Sequence, residues 1–262
     1  MNEIVGNFRP ITLAEMSGIK LMNRTDTKFV TTVERLCQLL TLARDDYRAQ
    51  EVDGQRLIPY STIYFDTPDY NMYETHQRGR VNRQKLRIRS YVDSNLNFLE
   101  VKTKDNHGRT KKKRVEMKNF DPKRPDYDIH FLRQNEEYVG YDDFLRTYLR
   151  YAPETMEEKI ANRFLRLTLV NNAKTERLTI DTSLEFLNLA TGISRKMDNL
   201  AIIELKRDGL QYSPILELLR QLRIKPSGFS KYCIGSALTN PELKQNLFKK
   251  RLRRYEKIIN NA

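Results

Sequence analysis

The sequence predicts an α+β fold, an antiparallel β-tunnel of about eight strands lined by basic residues, with helices packed outside. Three observations predict it. Short stretches alternate cationic with aliphatic residues, as in "QKLRIRSY" (84–91), and successive side chains of a strand point to opposite faces. The strand-like stretches fall into two blocks separated by helical ones, the pattern of an α+β domain. The polar faces are dominated by Arg and Lys, and like charges packed across neighbouring strands repel. A sheet of that kind is satisfied if it curls around a polyanion.

Along the chain, "TDTKFVT" (25–31) reads as a short strand. Thr31 and Glu34 have the spacing of a capping box, opening a helix with Val33, Leu36, Cys37 and Leu40 on one face. Residues 56–67, rich in Tyr, Ile and Thr, read as a strand, and Thr67-Pro68 as the start of a short helix. Strands are predicted over 82–91, 96–104 and 111–118, with "DNHGR" as the turn between the last two. From about 121 to 160 the pattern is irregular and then helical, clearest in "DDFLRTYLRYA". Strands resume at 162–170, 176–187 and 200–206. "SPILELLRQLRI" reads as a helix, "SGFSKYCIGSAL" begins another, and residues 240–262 close the single domain (1–262) with a basic helix.

The strand phases divide the residues into two sets. On the charged side fall Arg24, Asp26 and Lys28; Lys85, Arg87 and Arg89; Glu100, Lys102 and Lys104; Lys112, Arg114 and Glu116. Arg166, then Arg177, Thr179 and Asp181, then Glu204 and Lys206 follow the same rule. Opposite them lie Leu86, Ile88, Leu99, Val101, Val115, Met117, Leu165, Leu167, Leu178, Ile180, Ile203 and Leu205, which the helices would cover. Lys112 rather than Lys113 faces inward on this phase, because Lys113 shares its face with Val115 and Met117. Arginine offers a planar fork suited to phosphate oxygens, and lysine a point charge. A cation cluster that includes a few carboxylates suits metal-assisted phosphoryl transfer. A solvated sheet face is the ordinary alternative for any one strand.

Composition narrows the partners. The chain has 262 residues with 47 Lys+Arg against 34 Asp+Glu, a formal charge of +13, which favours an anionic partner. No apolar run is long enough to span a membrane, and the first residues lack a signal-peptide core, so a cytoplasmic location is expected. Cys37 and Cys233 are too few for a disulfide framework, and His76, His107 and His130 give no zinc spacing. A glycine-rich phosphate loop is absent, so phosphate must be bound by side chains. Nucleic acid is disfavoured because no aromatic–basic recognition motif occurs.

In order, "RTDTKFV", "YFDT", "KLRIRSY", "FLEVKTK", "KKKRVEM", "RLTID", "IIELK" and "GFSKYCIG" resemble the VTC-type polyphosphate polymerase domain of the triphosphate tunnel metalloenzymes, a CYTH-like superfamily. The resemblance runs from about residue 20 to residue 236. It implies that Lys28, Arg87, Arg89, Lys102, Lys112, Arg114, Arg166, Arg177 and Lys231 line a tunnel and bind phosphates, with Ser230 a further donor. Lys28, Arg87, Arg89, Lys102, Arg166 and Lys231 would act in catalysis, and Glu204 would hold Mn2+ or Mg2+. The implied reaction moves the γ-phosphoryl group of ATP or another nucleoside triphosphate onto a growing inorganic polyphosphate chain.

Two positions depart from the superfamily's patterns. Arg24 stands where the hydrolase branch has the first glutamate of Glu-x-Glu-x-Lys, and Phe164 stands where the family often has the tyrosine of Tyr-x-Arg. Hydrolysis of triphosphate or polyphosphate, with Asp26, Glu100 or Asp181 orienting water, is the alternative on the same fold. A non-catalytic sensor of polyphosphate or inositol polyphosphate is another. Family members often work beside a membrane protein that takes up the polymer. The basic C-terminal helix is therefore read either as a solvated helix or as a contact with such a partner.

Overall fold

The computed structural model describes residues 1–17, 24–106, 109–118, 120, 139–209 and 211–260. The expected irregular stretch over 121–138, His107 and Gly108 of the "DNHGR" turn, His130 and the side chain of Arg24 lie outside the described residues. The chain begins with α1 (Asn2–Gly6), β1 (Arg9–Ile11) and α2 (Leu13–Ser17), and continues with β2 (Arg24–Thr32) and α3 (Val33–Ala43). Next come β3 (Tyr47–Gln50), β4 (Ile58–Asp66), α4 (Asn71–Gln77), β5 (Arg83–Tyr91), β6 (Leu96–Lys104) and β7 (Thr110–Glu116). The second half holds α5 (Val139–Tyr148), β8 (Glu157–Asn171), β9 (Glu176–Asn188), β10 (Ser194–Met197) and β11 (Leu200–Asp208). It ends with α6 (Pro214–Gln221), α7 (Lys231–Thr239) and α8 (Lys249–Asn260).

The strands form one sheet whose main path is β2-β11-β9-β8-β4-β5-β6-β7. Its neighbours on this path are antiparallel, while β1 pairs in parallel with β3 at a margin and β10 pairs with β9. Among the described residues the end strands β2 and β7 do not pair with each other. They nevertheless share a cavity, which both Lys28 of β2 and Thr110 of β7 line. The sheet is therefore rolled into a tunnel left unclosed by hydrogen bonds, and the segment before α7 covers the β2 edge through the Phe29–Pro226 bridge and Ser227 N donating to Lys28 O (2.8 Å).

The apolar sides face outward, as the alternation requires. Leu36, Leu39 and Leu40 of α3 and Ile215 and Leu219 of α6 pack on Leu167, Leu169, Leu178, Ile180, Ile203 and Leu205. On the other flank Leu86, Ile88, Leu99 and Val101 share a core with Leu145 of α5 and with Tyr232 and Tyr255 of α7 and α8. No described helix is long and apolar enough to cross a membrane.

Several element boundaries differ from the sequence-based expectation, for local reasons. Thr32, not Thr31, caps α3, its hydroxyl accepting from Arg35 N (3.2 Å), because β2 runs one residue further than expected and ends at Thr32, paired with Leu200. The helix expected at Thr67 starts at Asn71, with Asp66 and Thr67 reaching forward to cap the N–H groups of Asn71, Met72 and Tyr73. Strand β8 begins at Glu157 rather than 162, since Glu157 and Glu158 pair with Asp66 and Phe65 of β4 across an irregularity at Lys159. Helix α8 starts at Lys249, and turns occupy most of 241–248.

Candidate active site

Register alone brings the expected residues to one surface. Across β5, β6 and β7, Lys85, Lys102 and Lys112 stand side by side, and Arg87, Glu100 and Arg114 form the next rung. Across β8, β9, β11 and β2, Arg166 pairs with Asp181, Thr179 with Glu204, and Glu204 with Lys28. Arg177 lies opposite Lys206 in the adjacent row. Lys113 points the other way, its ammonium 5.2 Å from the centroid of Tyr148 on α5, so the inward lysine is Lys112.

Three carboxylates punctuate the cations, and each is held by two of them. Glu100 accepts from Arg87 Nε (2.7 Å) and from Lys112 Nζ (2.9 Å). Asp181 takes a two-point contact from Arg166, Nε at 2.6 Å and Nη2 at 2.8 Å, and a further one from Lys231. Glu204 lies 3.1 Å from Lys206 Nζ and 3.8 Å from Lys28 Nζ. Burial would raise all three acids, but the flanking cations outweigh it. Arg87, Arg89 and Lys112 hold Glu100 at about 2, and Asp181 and Glu204 lie lower still. A carboxylate so engaged is a poor proton acceptor.

Lys231 and Ser230 enter the tunnel at the N-terminus of α7. Ser230 caps this helix by accepting from Cys233 N (3.3 Å), and the same hydroxyl accepts from Lys85 Nζ (2.8 Å). The helix is fixed from behind by Tyr232, whose hydroxyl donates to the fully buried Asp66. Lys231 Nζ sits 3.5 Å from the centroid of Phe164, a cation–π contact where the family's tyrosine would offer a hydroxyl. Arg166 stands 4.9 Å from the Tyr60 centroid.

Four of the ammonium groups, those of Lys85, Lys102, Lys206 and Lys231, lose basicity here. Burial, with cationic neighbours, brings Lys231 and Lys85 to about 7 and Lys102 to about 8. Arg89 is lowered by burial and by Arg87 and Arg166, and its buried Nε has no hydrogen-bond partner among the described residues. Arg114 sits at the exposed rim, 4.4 Å from the Phe98 centroid. Lys85 and Lys206 belong to this surface but are outside the residue set that the family resemblance implies. Their strand phase was the signal that places them.

Among the described residues no three His, Cys, Asp or Glu side chains converge. Glu204, beside Thr179 (3.5 Å) and in one cavity with Asp26, still fits a hard divalent ion, which commonly takes one or two carboxylates and fills its shell with water and substrate phosphates.

Comparison with known proteins identifies the family of this chain. The model of the VTC domain family matches residues 23–240. No curated protein matches the chain. Among solved structures, a candidate adenylate cyclase from Bacillus halodurans is similar at 14% identity, covering 80% of this chain and 96% of that one, with a TM-score of 0.48. A Hippeastrum protein described as having a dominant triphosphatase activity is 16% identical, with 82% and 95% covered and a TM-score of 0.46. A candidate adenylate cyclase from Vibrio parahaemolyticus is 10% identical, with 81% and 97% covered and a TM-score of 0.45.

Proposed function

The chain belongs to the VTC domain family, and from that premise we propose that it is a polyphosphate polymerase acting on ATP or another nucleoside triphosphate. The observation that carries this reading is the state of the carboxylates. Glu100, Asp181 and Glu204 are each held by two cations and lie far below the range of a general base. Hydrolysis needs water to be deprotonated or oriented, whereas a chain-terminal phosphate is already an anionic nucleophile. Such an acceptor needs alignment and charge neutralisation above all.

In this reaction a terminal phosphate oxygen of the chain attacks the γ-phosphorus. The bond from that phosphorus to the bridging oxygen breaks, and ADP departs with the oxygen and its electron pair. The chain grows by one phosphoryl unit, and no proton need be transferred. Arg87, Arg89, Arg166 and Lys231 surround the transferring group with donors, and Lys28, Lys102, Lys112, Arg114, Arg177 and Ser230 hold the flanking phosphates. Mn2+ or Mg2+, held by Glu204 together with phosphate oxygens, supplies further charge neutralisation when bound. With this reading go inorganic polyphosphate as acceptor and product, a cytoplasmic setting, and a membrane-protein partner that would take up the polymer.

The test is purified protein with ATP and Mn2+, its products resolved by length on a gel. A ladder resistant to DNase, with ADP and little orthophosphate, is expected, and a short polyphosphate primer should shorten any lag. Orthophosphate released in step with ADP and no ladder would make it a hydrolase. Tight binding with no ADP would make it a sensor.

A further inference from the structure

Four aromatic rings follow one another along the wall, one from each of four neighbouring strands. Phe164 of β8 stacks on Tyr60 of β4, with centroids 5.3 Å apart and ring planes at 17°. Tyr60 meets Tyr91 of β5 at 4.8 Å, and Tyr91 meets Phe98 of β6 edge-on at 6.0 Å. Register builds this belt, because Tyr60 is the cross-strand partner of both Phe164 and Tyr91. Tyr91 in turn shares the inward side of β5 with Arg87 and Arg89.

The belt carries cations. Lys231 Nζ lies 3.5 Å from the Phe164 centroid, and the Arg166 guanidinium lies 5.2 Å from Phe164 and 4.9 Å from Tyr60. Arg89 lies 6.0 Å from Tyr60, and Arg114 lies 4.4 Å from Phe98. Carboxylates alone do not balance these groups. Asp181 brings one negative charge to both Arg166 and Lys231, and among the described residues no carboxylate comes within ion-pair distance of Arg89 or Arg114. A ring face attracts a cation through its quadrupole while carrying no net charge. It therefore holds a cation without repelling an incoming phosphate, as a second carboxylate would. The attraction is greatest where water is excluded, and Phe164 is 3% exposed. Burial pushes the Tyr60 phenol up to about 12, so the belt adds no charge of its own.

We propose that Phe164 is a positioning residue of the phosphate site: its ring face, backed by Tyr60, holds the Lys231 ammonium over the tunnel in place of a second carboxylate. The proposal rests on the reading of this wall as a phosphate site and not on the formation of polymer. Replacing the family's tyrosine by phenylalanine then removes a hydroxyl and keeps the ring face. The contact favours the charged form of Lys231, opposing the burial that brings it to about 7. Asp181 of β9, Arg166 of β8 and Lys28 of β2 are the other charged groups that act on it.

The test replaces Phe164 in the full chain by mono-, di- and trifluorinated phenylalanine, which keep the ring's shape while making its face progressively less negative. Two quantities are read: the titration of the Lys231 side chain by NMR, and the affinity for tripolyphosphate. The Lys231 titration should move down step by step along the series, and the pH above which tripolyphosphate affinity falls should move down with it. Phe164→Leu, which removes the ring face, should weaken binding about three- to thirtyfold near pH 8, the equivalent of one cation–π contact. Phe164→Tyr should keep the wild-type titration. The same fluorinated series at Phe65, which is buried in the core with no cation over its ring among the described residues, should change neither quantity. The proposal fails if the Phe164 series leaves both quantities flat, even if Phe164→Leu weakens binding, because the ring would then act by its bulk alone. It fails equally if the Phe65 series produces the same steps. A wild type that binds no tripolyphosphate would remove the phosphate reading, and the Lys231 titration along the series would still decide what Phe164 does.

Discussion

At the scale of single residues, the site sets two carboxylate roles apart. Asp181 and Glu100 are engaged by guanidinium and ammonium groups on both oxygens at hydrogen-bond distance, whereas Glu204 meets ammonium groups alone, one of them at 3.8 Å, and lines the shared cavity with Asp26, which makes it the proposed metal ligand. Glu204→Gln should abolish metal-dependent turnover while leaving metal-free tripolyphosphate binding intact, since it removes a ligand charge and spares the cationic wall. Turnover at the wild-type rate would refute the metal assignment. The lysines make a second prediction. Lys85, Lys102 and Lys231 titrate near 7 to 8 in the fold but near the ordinary lysine value when unfolded. Between those values the unfolded chain binds more protons, so the ligand-free protein should gain stability as pH rises from about 7 to about 9. A bound polyanion restores the lysine charges. Tripolyphosphate binding near pH 8 should therefore take up protons, read by calorimetry in buffers of different ionisation enthalpy, and its affinity should fall as pH rises. Binding without proton uptake would mean that these lysines are already charged. The phase of "QKLRIRSY" made Lys85 legible, but its contact with Ser230, 145 positions away, was not.

Among the elements, the sequence was most informative where a strand has one charged and one apolar side. Strands β5 and β6 lie within a residue of their expected bounds because Leu86, Ile88, Leu99 and Val101 must all be buried together. Leu86→Ala should cost about 2–5 kcal/mol of stability, the range for a fully buried leucine, measured by denaturant unfolding. A loss comparable to a surface substitution would place Leu86 on the wrong face. The short strands β1, β3 and β10 carry too few residues for a period to show, and pairing with distant partners defines them. The early start of β8 was hidden because Lys159 is buried by tertiary contacts, beside Glu157 (2.6 Å) and 4.4 Å from the Tyr70 centroid. Caps were legible to within one position. Thr32→Ala should cost about 1 kcal/mol and Thr31→Ala should not act through the cap, so equal effects on unfolding with no loss of α3 protection in hydrogen exchange would contradict the assignment.

For the whole molecule, the formal charge of +13 is partly turned inward. A surface excess of cations is screened by salt and costs the fold little. The tunnel wall is different, because Lys85, Lys102, Arg89 and Lys231 are all pushed toward their neutral forms by burial together with neighbouring cations. The tunnel wall is consequently a destabilising part of an otherwise well-packed structure, and a ligand that supplies negative charge there stabilises the fold. Stabilisation by binding follows the logarithm of ligand concentration over its dissociation constant, about 2.7 kcal/mol at a hundredfold excess over that constant. Tripolyphosphate should accordingly raise the melting temperature in a dose-dependent way. Duplex DNA at the same phosphate concentration should not, because a helix too wide to enter the tunnel reaches only the solvent-exposed cations. Equal shifts from the two polyanions, both erased by moderate salt, would mean that the protein responds to its surface charge and that the inward-facing cations have no ligand of their own.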